Sequence, residues 1–273
     1  LKDLGMIAVN VLDSDGKLHV INYSNVDRDS DTTIIGNASG DTIFSEGWHK
    51  TIRAGDGNDS IFNYRGEYAS IDGGAGADTV NNSGSNSTLN GGDGNDWLRI
   101  ERNTNNVLLL GGNGNDTLAA NGTGATLFGG AGNDQINVGT AKNVVIAYAR
   151  GNGNDTITGF NATTKLLADY DSIGQSGKDV LVKSGNGTIV IRNASLEQVR
   201  AATVKRSVSY ALPASGGLID TINRTDGVTI AGSDGNDTIG NRGASTTIDG
   251  GLGNDFIENS GENNSILGGN GND

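Results

Sequence analysis

The stretch LLGGNGNDTLAA at residues 109–120 decides the fold, because near copies of it recur along the chain. LNGGDGNDWLRI begins at residue 89, LFGGAGNDQINV at residue 127 and IDGGLGNDFIEN at residue 248. Each copy keeps the pattern G-G-x-G-x-D, and an aliphatic side chain follows two residues after the aspartate. We number this six-residue turn from position one, the first glycine, to position six, the aspartate.

Ten copies of the turn are present, some of them imperfect. Their position-six residues are Asp41, Asp59, Asp78, Asp96, Asp116, Asp134, Asp155, Asp237, Asp255 and Asp273. Neighbouring aspartates lie 18 to 21 residues apart, except for one gap of 82 residues between Asp155 and Asp237. Three copies have one glycine replaced, by Ala54, Arg150 or Ser233, and the Asp41 copy, GNASGD, is eroded.

Two columns of side chains, nearly all aliphatic, keep step with these aspartates. Two residues after the aspartates stand Ile43, Ile61, Val80, Leu98, Leu118, Ile136, Ile157, Ile239 and Ile257. Seven residues before them stand Ile34, Ile52, Ile71, Leu89, Leu109, Leu127, Tyr148, Ile230, Ile248 and Ile266. The two columns are nine residues apart, so the unit is a nonapeptide of turn plus short strand, and two units form one 18-residue coil. This spacing predicts an all-β parallel β-roll, with two parallel sheets around a thin core.

The composition limits the partners of the chain. The 273 residues include 45 Gly, one Pro and no Cys, and the net charge is −13. This charge disfavours nucleic acid and anionic membranes and favours cations. The longest apolar runs, VLLL and VVIAYA, are too short to span a bilayer, so we expect no membrane insertion. A start on LKDLG without Met indicates a piece of a longer protein.

The nonapeptide resembles the repeat of the repeats-in-toxin (RTX) calcium-binding proteins. The resemblance implies a right-handed parallel β-roll that binds several Ca²⁺ ions between turns on one edge. It also implies two kinds of ligand, the ten aspartate carboxylates and the main-chain carbonyls of positions one and three. Those carbonyls belong to Ala54, Asp56, Gly73, Ala75, Gly91, Asp93, Gly111, Asn113, Gly129, Ala131, Arg150, Asn152, Gly232, Asp234, Gly250, Leu252, Gly268 and Asn270. Ca²⁺ takes six to eight oxygen ligands and accepts carbonyls as readily as carboxylates, which fits a free choice of side chain at position three.

The opposite turn of each coil lacks an acidic residue. Nine residues before the aspartates stand Lys50, Ala69, Ser87, Val107, Ala125, Ile146, Val228, Thr246 and Asn264. We therefore expect calcium on one edge only. Stacked carboxylates on that edge would lie about 4.8 Å apart and repel one another by about 3 kcal/mol at an effective dielectric of 20. Folding is therefore expected to need the cation.

Residues 159–229 interrupt the period and predict a cap. A strand–turn–strand pattern at 179–193 precedes SLEQVRAAT, in which Ser195 and Gln198 have the spacing of a helix capping box. Residues 9–22 align with 180–193 without a gap, so the cap recurs. We divide the chain into the end of a preceding cap (1–33), a calcium-binding roll (34–158), a small hairpin-and-helix cap (159–229) and the start of a second roll (230–273). A tandem array of such modules is expected.

The sequence offers no nucleophile, acid–base pair or open catalytic metal site, so we expect no enzyme activity. The first hypothesis is a secreted or cell-surface bacterial structural or adhesive module that stiffens on extracellular Ca²⁺ within a fibre or matrix. Its partners would be neighbouring modules or like subunits. Surface glycan is a further candidate because Trp48 lies in a turn, where packing on neighbours is the commoner role. The alternative is a non-catalytic accessory domain that serves secretion, folding or polysaccharide binding in a type I-secreted enzyme or toxin.

Overall fold

The computed structural model describes residues 9–12, 16–23, 32–149, 152–205, 222–223, 229–231, 238–241, 244–250 and 256–269. Its strands are β1 (Val9–Leu12), β2 (Leu18–Tyr23), β3 (Thr32–Asn37), β4 (Thr42–Glu46), β5 (Lys50–Asp56), β6 (Ser60–Tyr64), β7 (Ser70–Ala75), β8 (Thr79–Asn82), β9 (Thr88–Asp93), β10 (Trp97–Ile100), β11 (Leu108–Asn113), β12 (Thr117–Ala120), β13 (Thr126–Ala131), β14 (Gln135–Asn137), β15 (Val145–Tyr148), β16 (Asn154–Thr158), β17 (Lys165–Ala168), β18 (Ser172–Ser176), β19 (Asp179–Ser184), β20 (Gly187–Ile191), β21 (Thr203–Lys205), β22 (Ile222–Asn223), β23 (Thr229–Ala231), β24 (Thr238–Asn241), β25 (Thr247–Asp249), β26 (Phe256–Asn259) and β27 (Ser265–Leu267). One helix, α1 (Leu196–Ala202), lies between β20 and β21. Within the described residues no helix has the length and apolar character needed to cross a membrane.

Two long sheets confirm the predicted parallel β-roll. The even-numbered strands β4 to β16 stack in parallel in one sheet, and the odd-numbered strands β3 to β17 stack in the other. Each coil contributes one strand to each sheet, so the chain climbs one strand spacing per turn of the roll. Two residues of the same motif position therefore lie next to each other in neighbouring coils.

The predicted aliphatic columns form the core. Ile61 pairs with Val80 in the first sheet, and Leu109 pairs with Leu127 in the second. From Ile34 to Ile157, the aliphatic residues of both columns are at most 4% exposed. Intervening side chains face outward because successive residues of a strand point to opposite sides of a sheet. The core is therefore one thin layer of aliphatic side chains between the sheets.

The last coil of the first roll departs from the predicted register. In the structure, Ile146 pairs with Leu127 and so stands in the aliphatic column of the second sheet. Counting back from Asp155 had predicted Tyr148 at this place and Ile146 in the opposite turn. Val144 occupies that turn column instead, because Val145 donates to the Ala125 carbonyl and Lys165 donates to the Val144 carbonyl. Two extra residues between β15 and the turn account for the shift.

The opposite edge is held by amide side chains. Asn63 and Asn82, at the ends of β6 and β8, are almost completely buried. Asn63 Nδ2 donates to Asn82 Oδ1 over 2.6 Å, and Asn82 Nδ2 donates to the Gly84 carbonyl over 2.7 Å. The second roll repeats this contact, since Asn241 Nδ2 donates to Asn259 Oδ1 over 2.7 Å. An amide both donates and accepts, so stacked copies can link neighbouring coils without an ion. Asn63 Oδ1 is the one oxygen of this pair that has no hydrogen-bond partner.

The predicted hairpin and helix cover one end of the roll. Strands β19 and β20 form an antiparallel hairpin, and β20 pairs in parallel with β16. Ser195 Oγ accepts from the Gln198 amide and caps α1. At the other end, the hairpin of β1 and β2 pairs with β4. Both ends of this sheet therefore carry a hairpin, which covers a parallel edge that is open to pairing.

Two small parallel sheets lie in the C-terminal part of the chain and form a second roll. Strands β22, β24 and β26 form one small parallel sheet, and β23, β25 and β27 form another. Ile230 pairs with Ile248, and Ile239 pairs with Ile257. Ile230, Ile239 and Ile248 are buried together, so the same two columns form its core.

Asn82→Ala is expected to lower the free energy of unfolding by about 1–3 kcal/mol, because buried Gly84 loses the partner of both its amide and its carbonyl. Urea unfolding in saturating Ca²⁺ measures the change. The adjacent Asn81 faces outward, and Asn81→Ala should stay within about 0.5 kcal/mol of the wild type. Equal losses for the two variants would contradict a stabilising role for the buried amides.

Candidate metal centre

Glycines shape each turn on the aspartate edge. Positions two and four have positive φ, as at Gly112 (φ 111°) and Gly114 (φ 128°), a region that L side chains avoid. Space is a second reason for glycine. A Cβ at Gly112 would strike the Gly92 carbonyl, and a Cβ at Gly114 would strike the Gly94 carbonyl. The carbonyls of positions two and four therefore point at the next coil.

The position-six aspartates form a buried row along this edge. Those from Asp41 to Asp155 are each at most 2% exposed. One carboxylate oxygen, Oδ1, accepts a hydrogen bond from the amide of the aspartate one coil earlier. Asp96 N donates to Asp116 Oδ1 over 2.8 Å, and Asp134 N donates to Asp155 Oδ1 over 3.0 Å. The Oδ1 atoms thus link successive turns.

The second carboxylate oxygen, Oδ2, is left without a partner. Among the described residues, buried Oδ2 atoms with no hydrogen-bond partner belong to Asp59, Asp78, Asp96, Asp116 and Asp134. Buried polar atoms are almost always paired, so five in one row indicate a missing group. The eroded Asp41 turn differs, because Asn37 N donates to Asp41 Oδ2 over 2.8 Å.

A carbonyl from the next coil flanks the same space as the Oδ2 atoms of Asp78, Asp96 and Asp116. A Cβ added at Gly91 would strike both Asp96 Oδ2 and the Gly111 carbonyl. Gly73 has the same surroundings, with Asp78 Oδ2 and the Gly91 carbonyl, and Gly111 meets Asp116 Oδ2 and the Gly129 carbonyl. The position-one glycine therefore keeps a small space open between two oxygens of neighbouring coils. Ala54, which stands at position one in the Asp59 turn, brings a buried methyl group to this place.

Burial raises the pKa of the carboxyl groups in this row. Desolvation is the largest cause and neighbouring aspartates add to it, so the pKa reaches about 7 at Asp78, Asp96 and Asp116. The pKa is about 6 at Asp59 and Asp134 and about 8 at Asp155. A negative charge here is costly unless a positive charge or a proton joins it.

The oxygens fit a hard cation such as Ca²⁺. The donors are carboxylate and main-chain oxygens, which Ca²⁺ prefers, and none is sulfur or nitrogen. Within the described ranges no group of three His, Cys, Asp or Glu side chains comes together. A cation in the row would therefore depend on carbonyls for most of its ligands.

The predicted carbonyls of positions one and three differ in their surroundings. Position-one carbonyls lie beside the free Oδ2 atoms, as described. Each position-three carbonyl accepts a hydrogen bond from the position-four amide of the preceding coil. For example, Gly94 N donates to the Asn113 carbonyl over 2.7 Å. One lone pair of that carbonyl oxygen remains available for another partner. Sequence reasoning missed the carbonyls of positions two and four, although the glycines required there were the available signal.

The structure brings together only some of the predicted ligands. The aspartates from Asp41 to Asp155 meet in one row. The described carbonyl positions of these turns are Ala54, Asp56, Gly73, Ala75, Gly91, Asp93, Gly111, Asn113, Gly129, Ala131 and Asn152. Arg150, Gly232, Asp234, Asp237, Leu252, Asp255, Asn270 and Asp273 lie outside the described residues. Gly250 and Gly268 lie within the described residues, but the aspartates of their turns, Asp255 and Asp273, do not. On the opposite edge, Lys50, Ala69, Ser87, Val107 and Ala125 are buried, and Trp48 is half-buried.

Comparison with known proteins agrees with the repeat pattern. The family described as RTX calcium-binding nonapeptide repeat (4 copies) matches residues 51–66, 72–99, 104–123, 110–145, 228–239 and 243–273. No curated protein matches the chain. Among solved structures, the chain is similar to the extracellular lipase LipA from Serratia marcescens, with 18% identity and a TM-score of 0.35. The match covers 70% of this chain and only 42% of the lipase chain, and it indicates nothing about activity.

The matched repeats include the turns from Asp59 to Asp134, and in three of them the buried carboxylate, of Asp78, Asp96 or Asp116, faces a carbonyl of the next coil. They also extend into the second roll, where the two aliphatic columns begin again. The chain is therefore a parallel β-roll that carries RTX calcium-binding nonapeptide repeats.

Proposed function

We propose that the chain is a calcium-dependent structural module whose roll becomes stable when Ca²⁺ enters the gaps between successive aspartate turns. The observation that carries this proposal is the row of five buried Oδ2 atoms without partners. A folded chain that encloses five such atoms side by side needs a compensating charge. The gaps at Gly73, Gly91 and Gly111 already present a carboxylate oxygen and a carbonyl of the next coil, which are the kinds of ligand that Ca²⁺ takes.

The carboxylates of Asp59, Asp78, Asp96, Asp116 and Asp134 would hold the ions, together with main-chain carbonyls of the same turns and the next ones. Bound Ca²⁺ supplies positive charge where the fold otherwise favours a proton. Because the unfolded chain has no such arrangement of oxygens, binding energy becomes folding energy.

The two edges of the roll would then differ in what they require. The amide edge, with Asn63 and Asn82, is neutral and is linked by its own hydrogen bonds, although Asn63 Oδ1 has no partner. The aspartate edge is satisfied only in part, because Oδ1 is bonded and Oδ2 is not. Calcium dependence would therefore arise from one edge alone.

On the scale of the whole protein, we propose a non-catalytic module of a secreted or surface-attached bacterial fibre or matrix. Two features support this: a hairpin at each end of the first roll and the restart of the repeat at residue 229. Rolls joined through caps would span distance, and calcium would make them stiff. The enclosed carboxylates are engaged between coils, which suits a structural role better than turnover of a substrate.

Calcium is expected to induce the β-structure, and Asp78→Asn should raise the Ca²⁺ midpoint about tenfold or more. The reason is that Asp78 Oδ1 bonds one neighbouring turn and its Oδ2 faces the other. Circular dichroism during titration of chelated protein with Ca²⁺ gives the midpoint.

Asp72→Asn is the matched control for this titration. Asp72 lies six residues earlier in the same coil, is half-exposed on the outer face and accepts from Asn90 Nδ2 over 2.9 Å, a bond that Asn can keep. Its midpoint should stay within about threefold of the wild type, or under about 0.7 kcal/mol. Full β-structure in chelator at neutral pH would overturn the proposal.

Acid should partly replace calcium. The row has folded pKa values of about 6 to 8, well above the unfolded value of about 3.9. The folded chain therefore binds more protons between these limits, and the stability of the metal-free chain falls as pH rises from about 4 to 8. In chelator, the β-signal should be stronger at pH 5 than at pH 8. With Ca²⁺, the midpoint should instead fall as pH rises, and protons should be released on binding. A pH-independent β-signal in chelator would contradict this explanation.

The fibre role is tested by electron microscopy of the full-length protein with and without Ca²⁺. We expect rods or filaments in Ca²⁺ that collapse in chelator, because each roll would lose its stiffness. A compact particle with enzyme activity in an attached domain would instead favour the accessory-domain alternative. Removing residues 34–158 from the full-length protein is a useful comparison, since a rod should become shorter.

A further inference from the structure

Asparagine is the usual residue at position five of the turns, directly before the aspartate. In the first roll it stands there as Asn58, Asn95, Asn115, Asn133 and Asn154. Its side-chain oxygen accepts a hydrogen bond from the position-five amide of the next coil. Asn95 Oδ1 accepts from Asn115 N over 2.7 Å, and Asn115 Oδ1 accepts from Asn133 N over 2.8 Å. We call each of these contacts a rung, because together they run along the roll beside the row of aspartates.

The rungs and the aspartate bonds cross each gap in opposite directions. In the gap between the Asp116 and Asp134 turns, Asn115 Oδ1 accepts its hydrogen bond from the later coil. The next residue acts the other way, because Asp116 N donates to Asp134 Oδ1 over 2.8 Å. The rung therefore holds two turns together directly beside the unpartnered Asp116 Oδ2.

Ala77 interrupts the series of rungs. Its own amide donates to Asn58 Oδ1 over 2.8 Å, so the rung to the preceding coil is present. Its methyl side chain, however, offers no oxygen to Asn95 N of the next coil. The gap between the Asp78 and Asp96 turns therefore has no rung.

This gap otherwise matches the gap between the Asp116 and Asp134 turns, which has a rung. Each gap contains an unpartnered Oδ2 atom and a carbonyl of the next coil. In each, the first aspartate amide donates to the next Oδ1 over 2.8 Å, and a position-four amide donates to a position-three carbonyl over 2.7 Å. Asp72 and Asn90 add a bond across the first gap, but both residues precede position one. Within the turns, the two gaps thus differ in the rung.

We propose that the position-five side chain sets how firmly each gap holds its ion, and that the gap between the Asp78 and Asp96 turns releases its ion first. This proposal rests on the proposed calcium-dependent role of the row. Oxygens that are already held in place bind a cation more tightly, because less conformational freedom is lost on binding. Where the rung is missing, the two turns separate more readily and the ion leaves sooner.

The test is the release of Ca²⁺ from the calcium-loaded whole chain into excess chelator, followed by stopped-flow fluorescence of the chelator. The wild type should release one ion faster than the rest. Ala77→Asn, which supplies the missing oxygen, should slow that phase about two- to tenfold, the scale of one net hydrogen bond. Ala77→Gln is the matched control, because its amide is one methylene too long, and its rate should stay within about twofold of the wild type. Asn115→Ala, which deletes a rung, should move a second ion into the fast phase.

Amide hydrogen exchange in saturating Ca²⁺ locates the effect in the chain. In the wild type, the Asn95 amide should exchange faster than the amides of Ala77, Asn115 and Asn133, and Ala77→Asn should slow its exchange. Release of all ions in one phase from the wild type, or unchanged release from Asn115→Ala, would overturn the inference and leave the proposed function intact. The Asn115→Ala result decides even where Ala77→Asn forms no new bond. A wild-type chain that binds no calcium would overturn the proposed function and this inference with it.

Discussion

Burial of carboxylates in a row is the constraint on which the rest of the roll depends. Parallel stacking of coils brings each aspartate directly beside the aspartate of the next coil, and the turns enclose them almost completely. The sheets and the aliphatic core favour this stacking, whereas the charge opposes it. The hydrogen bond from each aspartate amide to the next Oδ1 relieves only one of the two oxygens. Whatever neutralises Oδ2 therefore controls whether the favourable contacts form at all.

The amide edge shows how the same coil is closed without this conflict. Asn63 and Asn82 lie in neighbouring coils as the aspartates do, but Asn63 Nδ2 donates to Asn82 Oδ1 and Asn82 Nδ2 donates to the Gly84 carbonyl. Further along, Ile100 and Val138 occupy the equivalent place and simply extend the apolar core. Neutral side chains thus bury no charge on this edge. The aspartate edge does bury charge, because an ionised carboxylate can accept hydrogen bonds but cannot donate one.

Much of this architecture could be predicted from the sequence, for a physical reason. A repeat of fixed length leaves few arrangements, so the aliphatic columns, the parallel sheets and the single row of aspartates all follow from spacing. The Oδ1 bonds could not be predicted, because they depend on how far each turn leans toward its neighbour. The register at Tyr148 was predicted wrongly, since counting back from Asp155 assumed that no residues had been added before the turn. Burial of Asn63 and Asn82 was missed because asparagine near glycine usually indicates an exposed turn.

Departures from the repeat are concentrated at the ends of the first run. Two departures stand at its beginning. In the first turn, Asn37 N donates to Asp41 Oδ2. In the second turn, the methyl group of Ala54 is buried at position one. Tyr148 stands at its end, beside the cap. Between them, the turns ending at Asp78, Asp96, Asp116 and Asp134 keep every glycine of the motif. At Gly73, Gly91 and Gly111, glycine at position one keeps open a space between two oxygens that a side chain would fill. The regular glycines of these turns therefore follow from the close approach of neighbouring coils on the aspartate edge.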